Sequence, residues 1–454
     1  MVLTHSAACD WWVKKTILGT VYVYKIYIPA NQIRVLQLHH FRSSSRSTHD
    51  CKRRNQYLTV SSIHSEDIKD LNDLEKEKML DEGLVIYLNN AHSCLDYVVG
   101  ANDVDEFDGA KFVVKQICSD WKDAKNDDML VKIIVGGITN RLYRLIWKDK
   151  SVLVRLYGDH TDEFIDRNFE NMLFALLSER GFAPTYYGRF KNGRIEGWLD
   201  AKPLDPKMMG QTKPVNYLQM IGKELGVMHV MDIPVERVPV LWTKIERFEK
   251  LARELKFKDP VKNAALEKMD LAGLYQKLQW LKSALPSNQN RNGKDLLDAL
   301  NTDAISKQAE AFASDVVFSH NDLLSGNILH NPDWDRVRII DYEYGGYNYR
   351  AFDFANHFCE NCGFDLDLAQ YPSIEKQFAF FKAYMSSAAP TMLTELEANR
   401  ESKAFFHAFY DVVNRYALAS HMFWGYWALV QAAHSKIDFD FFGNAASCSK
   451  GKTM

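Results

Sequence analysis

From Met129 to Leu199 the chain alternates apolar and polar residues in short runs broken by turn residues. Met129–Val135 predicts a strand, Gly136-Gly137-Ile138-Thr139-Asn140 a tight turn, and Leu142–Trp147 the returning strand. Ser151–Tyr157 is expected to pair with that strand across Asp149-Lys150. The period then lengthens to that of a helix over Asp166–Arg180, with Phe169, Leu173, Leu176 and Leu177 on one face and Gly181 at its end. Two further strands are predicted near Pro184–Phe190 and Arg194–Leu199, hinged at Asn192-Gly193. This part reads as a small antiparallel sheet carrying one helix. After Asp205-Pro206 the pattern is helical almost to the end, over Val215–Met231, Val240–Leu255, Val261–Leu285, Asp295–Ser314, Ser373–Ala388 and Glu401–Ala433. A short β patch interrupts it at Val316–Ser319, Ile328–Leu329 and Val337–Ile340. The expected class is α+β, with no internal repeat.

Upstream the pattern changes. Residues up to Gln56 hold nine Lys or Arg and two acids, Asp10 and Asp50, in a Ser-rich setting. That composition resembles an organelle leader, but no amphipathic helix or cleavage pattern accompanies it. Residues 1–63 are therefore expected to be a disordered or misassigned extension. An acidic helical stretch and a linker follow over 64–109, a β-rich lobe over 110–200, a helical lobe over 201–443 and an atypical tail over 444–454.

Composition narrows the function classes. The chain has 454 residues, 46% of them hydrophobic, enough for a sizeable core in a bilobal enzyme. A net charge of -3 gives no basic field that would recruit nucleic acid. The longest apolar candidate, Thr16–Phe41, is broken by Lys25, Asn31, Gln32 and Arg34, so no membrane span is expected. The 7 Cys are scattered and odd in number, as in a reducing cytoplasmic setting. Cys359 and Cys362 form a CxxC without a second ligand pair, which reads as ordinary packing.

The densest chemistry lies at Ser319-His320-Asn321-Asp322, continues to Gly326-Asn327 and ends at Ile339-Ile340-Asp341-Tyr342-Glu343. Phosphoryl transfer needs a hydroxyl oriented, its proton accepted, and Mg²⁺ held against the phosphates. Asp322 with Asn327 five residues on, then a strand ending in Asp341, matches a kinase-type catalytic loop and metal site. The paired glycines Gly136 and Gly137, with Thr139 and Asn140, offer backbone and side-chain donors to the phosphates of ATP. Arg155 on the third strand is the expected phosphate cation, held by Glu170 on the following helix. Trp424 and Trp427, three apart, share one helix face and offer a cation site.

Two blocks make a resemblance specific. Ile340-Asp-Tyr-Glu-Tyr-Gly-Gly-Tyr-Asn-Tyr-Arg-Ala-Phe-Asp353 through Asn356-His357 to Glu360, and Asn414 through His421, Trp424 and Trp427 to Gln431, closely resemble the choline/ethanolamine kinase family. The resemblance implies a protein-kinase-like bilobal fold, ATP and Mg²⁺ as cofactors, and a small amino alcohol as acceptor. It further implies Asp322 as base, Asn327 and Asp341 as metal ligands, Glu343 beside them, and Glu196–Leu199 as the hinge meeting adenine. The amine is then expected at Asp322, Glu360, Trp424 and Trp427. A homodimer stays open. Beyond Phe439–Gly443 the chain departs from the family pattern: Asn444 stands where an aromatic residue is expected, so a terminal helix and one wall of the amine site would be missing. Local matches lean to ethanolamine. Choline, another small hydroxyl acceptor such as an aminoglycoside or sugar, and a kinase-like binding protein without turnover are the alternatives.

Overall fold

The structure, a computed structural model, describes residues 12–18, 21–28, 32–38, 93–100, 106–134, 140–158, 165–257, 259–285, 303–434 and 440–449. The acidic stretch near Ser65–Leu84 and residues Gly136, Gly137 and Thr139 of the phosphate turn lie outside the described residues. Within the N-terminal extension, expected to be without structure, β1 (Trp12–Leu18), β2 (Val21–Ile28) and β3 (Gln32–Leu38) form an antiparallel meander.

The first lobe is one six-stranded sheet. It holds β4 (Ser93–Leu95), β5 (Leu130–Ile134), β6 (Asn140–Trp147), β7 (Lys150–Tyr157), β8 (Tyr186–Phe190) and β9 (Gly193–Gly197). The order is β4-β8-β9-β7-β6-β5, antiparallel except that β4 runs parallel to β8. Side chains alternate across a strand. Val152, Val154 and Leu156 of β7 and Ile195 of β9 therefore join one core with Val113 and Val114 of α1 (Glu106–Ile117). The same alternation sends Arg155, Arg194 and Glu196 to the opposite face, toward α2 (Arg167–Glu179). Asp166 caps α2 by accepting hydrogen bonds from the Asn168 and Phe169 amides.

The strand β10 (Lys202–Pro203) leads out of the sheet and pairs with β12 (Ile328–His330) of the second lobe, which also pairs with β13 (Arg338–Ile339). The second lobe is helical: α3 (Pro206–Met209), α4 (Tyr217–His229), α5 (Leu241–Glu254), α6 (Pro260–Glu267), α7 (Leu271–Ala284) and α8 (Ala304–Ser314) come first. The strands β11 (Val316–Ser319) and β14 (Gly346–Tyr349) pair antiparallel, so the chemistry-bearing loops fall between them. Next come α9 (Arg350–Glu360), α10 (Ile374–Ala388), α11 (Pro390–Ala398), α12 (Ser402–His434) and α13 (Phe441–Ser449). Phe354 of α9 and Phe381 and Tyr384 of α10 pack with Phe409 of α12 at the centre of this lobe, edge to face except for the tilted Phe354–Phe381 pair.

The structure changes two sequence expectations here. The single helix expected over Val261–Leu285 is broken in two, because Asp270 leaves the helical path and caps α7 by accepting from the Gly273 amide. The terminal helix expected to be missing is present as α13. Its Phe441 is buried against Trp427, with ring centroids 5.7 Å apart.

Candidate active site

The loop from His320 to Asn327 is held by α9. Asp353 accepts from the backbone amides of His320 (2.8 Å) and Asn321 (2.7 Å), and from His229 Nε2 (2.9 Å). Burial opposes a charge on Asp353, but the bond from His229 and the attraction of His229 and His320 hold its carboxyl below the ordinary range. One turn on, Asn356 Nδ2 donates to Asn321 O, and His357 Nδ1 donates to Leu323 O at 2.9 Å. His320 Nε2 donates to Ile340 O (3.0 Å), leaving Nδ1 to accept from the Asp322 amide (3.2 Å). The imidazole is neutral, since burial depresses its pKa. It ties the catalytic loop to the strand end that carries Asp341.

Asp322 is nearly buried, 9% exposed. Asn327, on a short 3-10 turn (Ser325–Asn327), donates Nδ2 to Asp322 O at 2.8 Å and to Asp322 Oδ2 at 3.3 Å. Its carbonyl oxygen is left as a ligand atom, and its backbone O accepts from the Ile340 amide next to Asp341. Burial, then the nearby carboxylates of Glu360, Glu343 and Asp341, push the Asp322 carboxyl well above its ordinary range.

Asp341 has φ +64, a left-handed conformation rare outside glycine but tolerated by Asp. It sits with Glu343 and Glu170 in a cluster whose ligand atoms lie within 4.8 Å of one another. Glu170 has both oxygens engaged by guanidinium groups: Oε2 takes Arg167 at 2.6 Å and Oε1 takes Arg194 at 2.5 Å. Asp341 Oδ1, by contrast, is buried with no hydrogen-bond partner. An orphaned hard oxygen beside a second carboxylate suits a divalent cation such as Mg²⁺. Burial, then Asp341 and Glu170, raise Glu343 to about 8.

The expected Arg155–Glu170 pair is not formed. Arg155 Nε instead donates to Glu196 Oε1 at 2.9 Å, and its NH1 reaches Asp341 Oδ2 at 3.2 Å. The register explains the exchange. Arg155 of β7 lies directly opposite Arg194 of β9, and Arg194 takes Glu170 as its own partner while sharing Glu196 Oε1 at 2.7 Å. Gly193 permits this approach, for a Cβ there would stand 2.2 Å from Arg155 O. Glu196 is also not placed as a hinge to adenine, because it pairs with Leu153 on one side and Tyr186 on the other. The backbone leaves the sheet after Gly197, so Leu199 is the hinge candidate that stays. Of the expected phosphate turn, Asn140 is described, and its Nδ2 donates to Glu343 Oε2 at 3.5 Å.

The expected amine residues Trp424 and Trp427 stand in an aromatic corner. The Trp424 and Trp427 rings stand 5.4 Å apart at 82°, and Tyr344 meets Trp424 at 5.3 Å and 71°. Both indole N–H groups are committed, Trp424 to Asn356 Oδ1 (2.6 Å) and Trp427 to Tyr344 Oη (2.8 Å). The π faces are what the corner offers to a ligand. Asn356 therefore links the corner to the catalytic loop. Glu360, one turn beyond Asn356 on α9, has no side-chain partner among the described residues, and burial raises its carboxyl to about 7.

Residues 131–450 match the family described as choline/ethanolamine kinase. The chain belongs to the choline/ethanolamine kinase family. Among its relatives are a probable ethanolamine kinase of Arabidopsis thaliana, 33% identical over 76% of this chain and 88% of that protein, and ethanolamine kinase 2 of Rattus norvegicus, 32% identical over 76% of this chain and 80% of that protein. Similar solved structures include an ethanolamine kinase of Plasmodium vivax (TM-score 0.63, 24% identity, 85% of this chain and 95% of that one) and a choline kinase of Cryptosporidium parvum (TM-score 0.58, 23% identity, 76% and 93%). At that identity the two structures speak for the fold, which is the protein-kinase-like bilobal fold expected. The chain is thus a small-molecule kinase with an alcohol acceptor, and no helix among the described residues is long and apolar enough to cross a membrane.

Sequence reasoning did not single out three members of this kinase site. Tyr344 stood inside the motif, but its ring contact with Trp424 depends on how α12 packs. Asp353 and His357 share the face of α9 with Asn356 and Glu360, a spacing of three and four that the sequence displays.

Proposed function

We propose that the protein transfers the γ-phosphate of ATP to the hydroxyl of ethanolamine, giving phosphoethanolamine and ADP. Asp322 orients the hydroxyl and takes its proton. Asp341 and Asn327, with Glu343 alongside, would hold Mg²⁺, which when bound neutralises the phosphate charge. Arg155, with the turn at Gly136, Gly137, Thr139 and Asn140, meets the phosphates, and Leu199 meets adenine. The reading rests above all on Asn356, which joins the Asp322 loop to the Trp424–Trp427–Tyr344 corner and so sets hydroxyl and ammonium ends a short molecule apart.

Ethanolamine over choline follows from Glu360. A primary ammonium donates N–H bonds to a carboxylate, whereas a trimethylammonium has none to give and depends on ring faces alone. A half-buried carboxylate without a side-chain partner among the described residues, one turn along α9 from the Asn356 that holds Trp424, supports the first ligand. The names of the relatives above point the same way. The test is kcat/KM for ethanolamine and choline at equal MgATP. A preference for choline of about tenfold, roughly 1.4 kcal/mol in transition-state binding, would overturn the choice. No turnover of either amine would overturn the kinase reading itself.

A further inference from the structure

Lys244 lies in the first turn of α5, whose buried stripe is Leu241, Ile245, Phe248 and Ala252. The Val240 amide donates to Tyr347 O, which fixes the start of this helix against β14. A lysine at this edge of the stripe ordinarily reaches outward to water. Lys244 turns inward. Its Nζ donates to Tyr344 O at 2.9 Å and lies 5.4 Å from the centroid of the Tyr344 ring. The same carbonyl accepts Asn321 Nδ2 at 3.0 Å, and Asn321 immediately precedes Asp322. Two side chains thus converge on one oxygen, and the ammonium is brought beside the catalytic loop.

The charges around Lys244 are unevenly placed. Burial lowers its pKa to about 8, the neighbouring Asp322 and Glu343 oppose that shift, and Arg247 on its own helix adds to it, so it remains largely an ammonium at neutral pH. Both attracting carboxylates belong to the hydroxyl end of the site. The cations of the first lobe approach from the other side: Arg155 pairs with Glu196 and Asp341, and Arg167 with Glu170 and, at 3.6 Å, Glu343. An ammonium has three N–H donors, and the Tyr344 carbonyl takes one.

We propose that Lys244 is a further catalytic residue, whose ammonium stabilises the phosphoryl group in flight from the second-lobe side. In the transfer the acceptor oxygen bonds to the γ-phosphorus, the bond from that phosphorus to the β,γ-bridging oxygen breaks, and its electron pair leaves with ADP. The hydroxyl proton passes to Asp322. Lys244 keeps its proton throughout and meets the equatorial oxygens on which charge is spread. This inference rests on the reading of Asp322 as the base.

Lys244→Met and Lys244→Arg separate the possibilities. The Met variant is expected to lose kcat by about tenfold to a hundredfold with both KM values within about threefold, the mark of an interaction made in the transition state. The Arg variant, which keeps the charge, is expected to regain part of that loss. Binding of MgADP with aluminium fluoride and ethanolamine, a mimic of the phosphoryl in flight, should weaken in the Met variant while MgADP alone binds as in wild type. An active wild type with an unchanged kcat in Lys244→Met overturns the proposal. A change confined to the KM for ethanolamine, or equal losses in both variants with unaltered binding of the mimic, also overturns it. A wild type inactive on both amines instead removes the underlying kinase reading.

Discussion

Replacing Glu360 with Gln tests the amine site through stability as well as catalysis. Glu360 has a folded-state pKa of about 7 against an ordinary 4.5, and burial is the cause. A raised carboxyl pKa favours the folded state while the group is protonated. That contribution is complete below pH 4.5 and is lost as pH rises through 7. At roughly 1.4 kcal/mol per pH unit, the loss reaches about 3 kcal/mol at mildly alkaline pH. Glu360→Gln keeps the shape and cannot ionise. The variant should therefore be more stable than wild type at pH 8 and nearly equal to it at pH 5. Ethanolamine should reverse the order, because its ammonium is the counter-charge that Glu360 lacks. A hydrogen bond between charged groups contributes about 1.5–3 kcal/mol, so the KM for ethanolamine should rise about tenfold or more in the variant. Thermal unfolding from pH 5 to 8.5, with and without ethanolamine, reads both effects. Equal pH slopes for the two proteins, together with an unchanged KM, would refute the placement of Glu360.

Asp322→Asn should lower kcat by about 10²-fold or more while ATP affinity stays within a few-fold, measured by steady-state kinetics and nucleotide binding. An unchanged kcat would remove Asp322 as the base. Glu196→Ala takes away the carboxylate shared by Arg155 and Arg194, leaving buried guanidinium charge unpaired. It should destabilise the fold by about 3–5 kcal/mol in denaturant titrations. A midpoint equal to wild type would mean that Arg155 is held by another group.

What the chain spelled out and what it withheld differ in physical kind. The order Asp322, Asn327, strand, Asp341 was readable because local spacing along a loop is fixed by covalent reach, and the structure keeps it with Asn327 on Asp322 and Ile340 on Asn327. The β strands of the first lobe were readable by alternation. The partner of Arg155 was not. Glu170 and Glu196 both reach the same face of the sheet, and the choice between them depends on Arg194 standing opposite Arg155 in the register. Lys244 was equally hidden, since a lysine in an amphipathic helix reads as surface until the helix start is fixed against β14. Asn444 stands where the family pattern has an aromatic residue, and a terminal helix is expected to be missing with it. The backbone instead continues as a helix that seats Phe441 on Trp427.

The helix α9 shows how one element can carry both ends of a reaction site. Asp353, Asn356, His357 and Glu360 recur at intervals of three and four, so they lie along one stripe. The first fixes the amides before Asp322, the middle two fix the carbonyls of Asn321 and Leu323, and the last lies near enough to Asp322 for its charge to raise that carboxyl's pKa. A helix rises about 1.5 Å per residue, so the stripe spans roughly 10 Å. Because Asn356 also holds the Trp424 indole, a shift of the aromatic corner along α9 would move the catalytic loop with it. The distance between the ammonium and hydroxyl positions is therefore set by one rigid element. On the proposed reading α9 thereby sets the acceptor length, and the motif running from Asp353 to Glu360 is legible as a block because its members share one face of that helix.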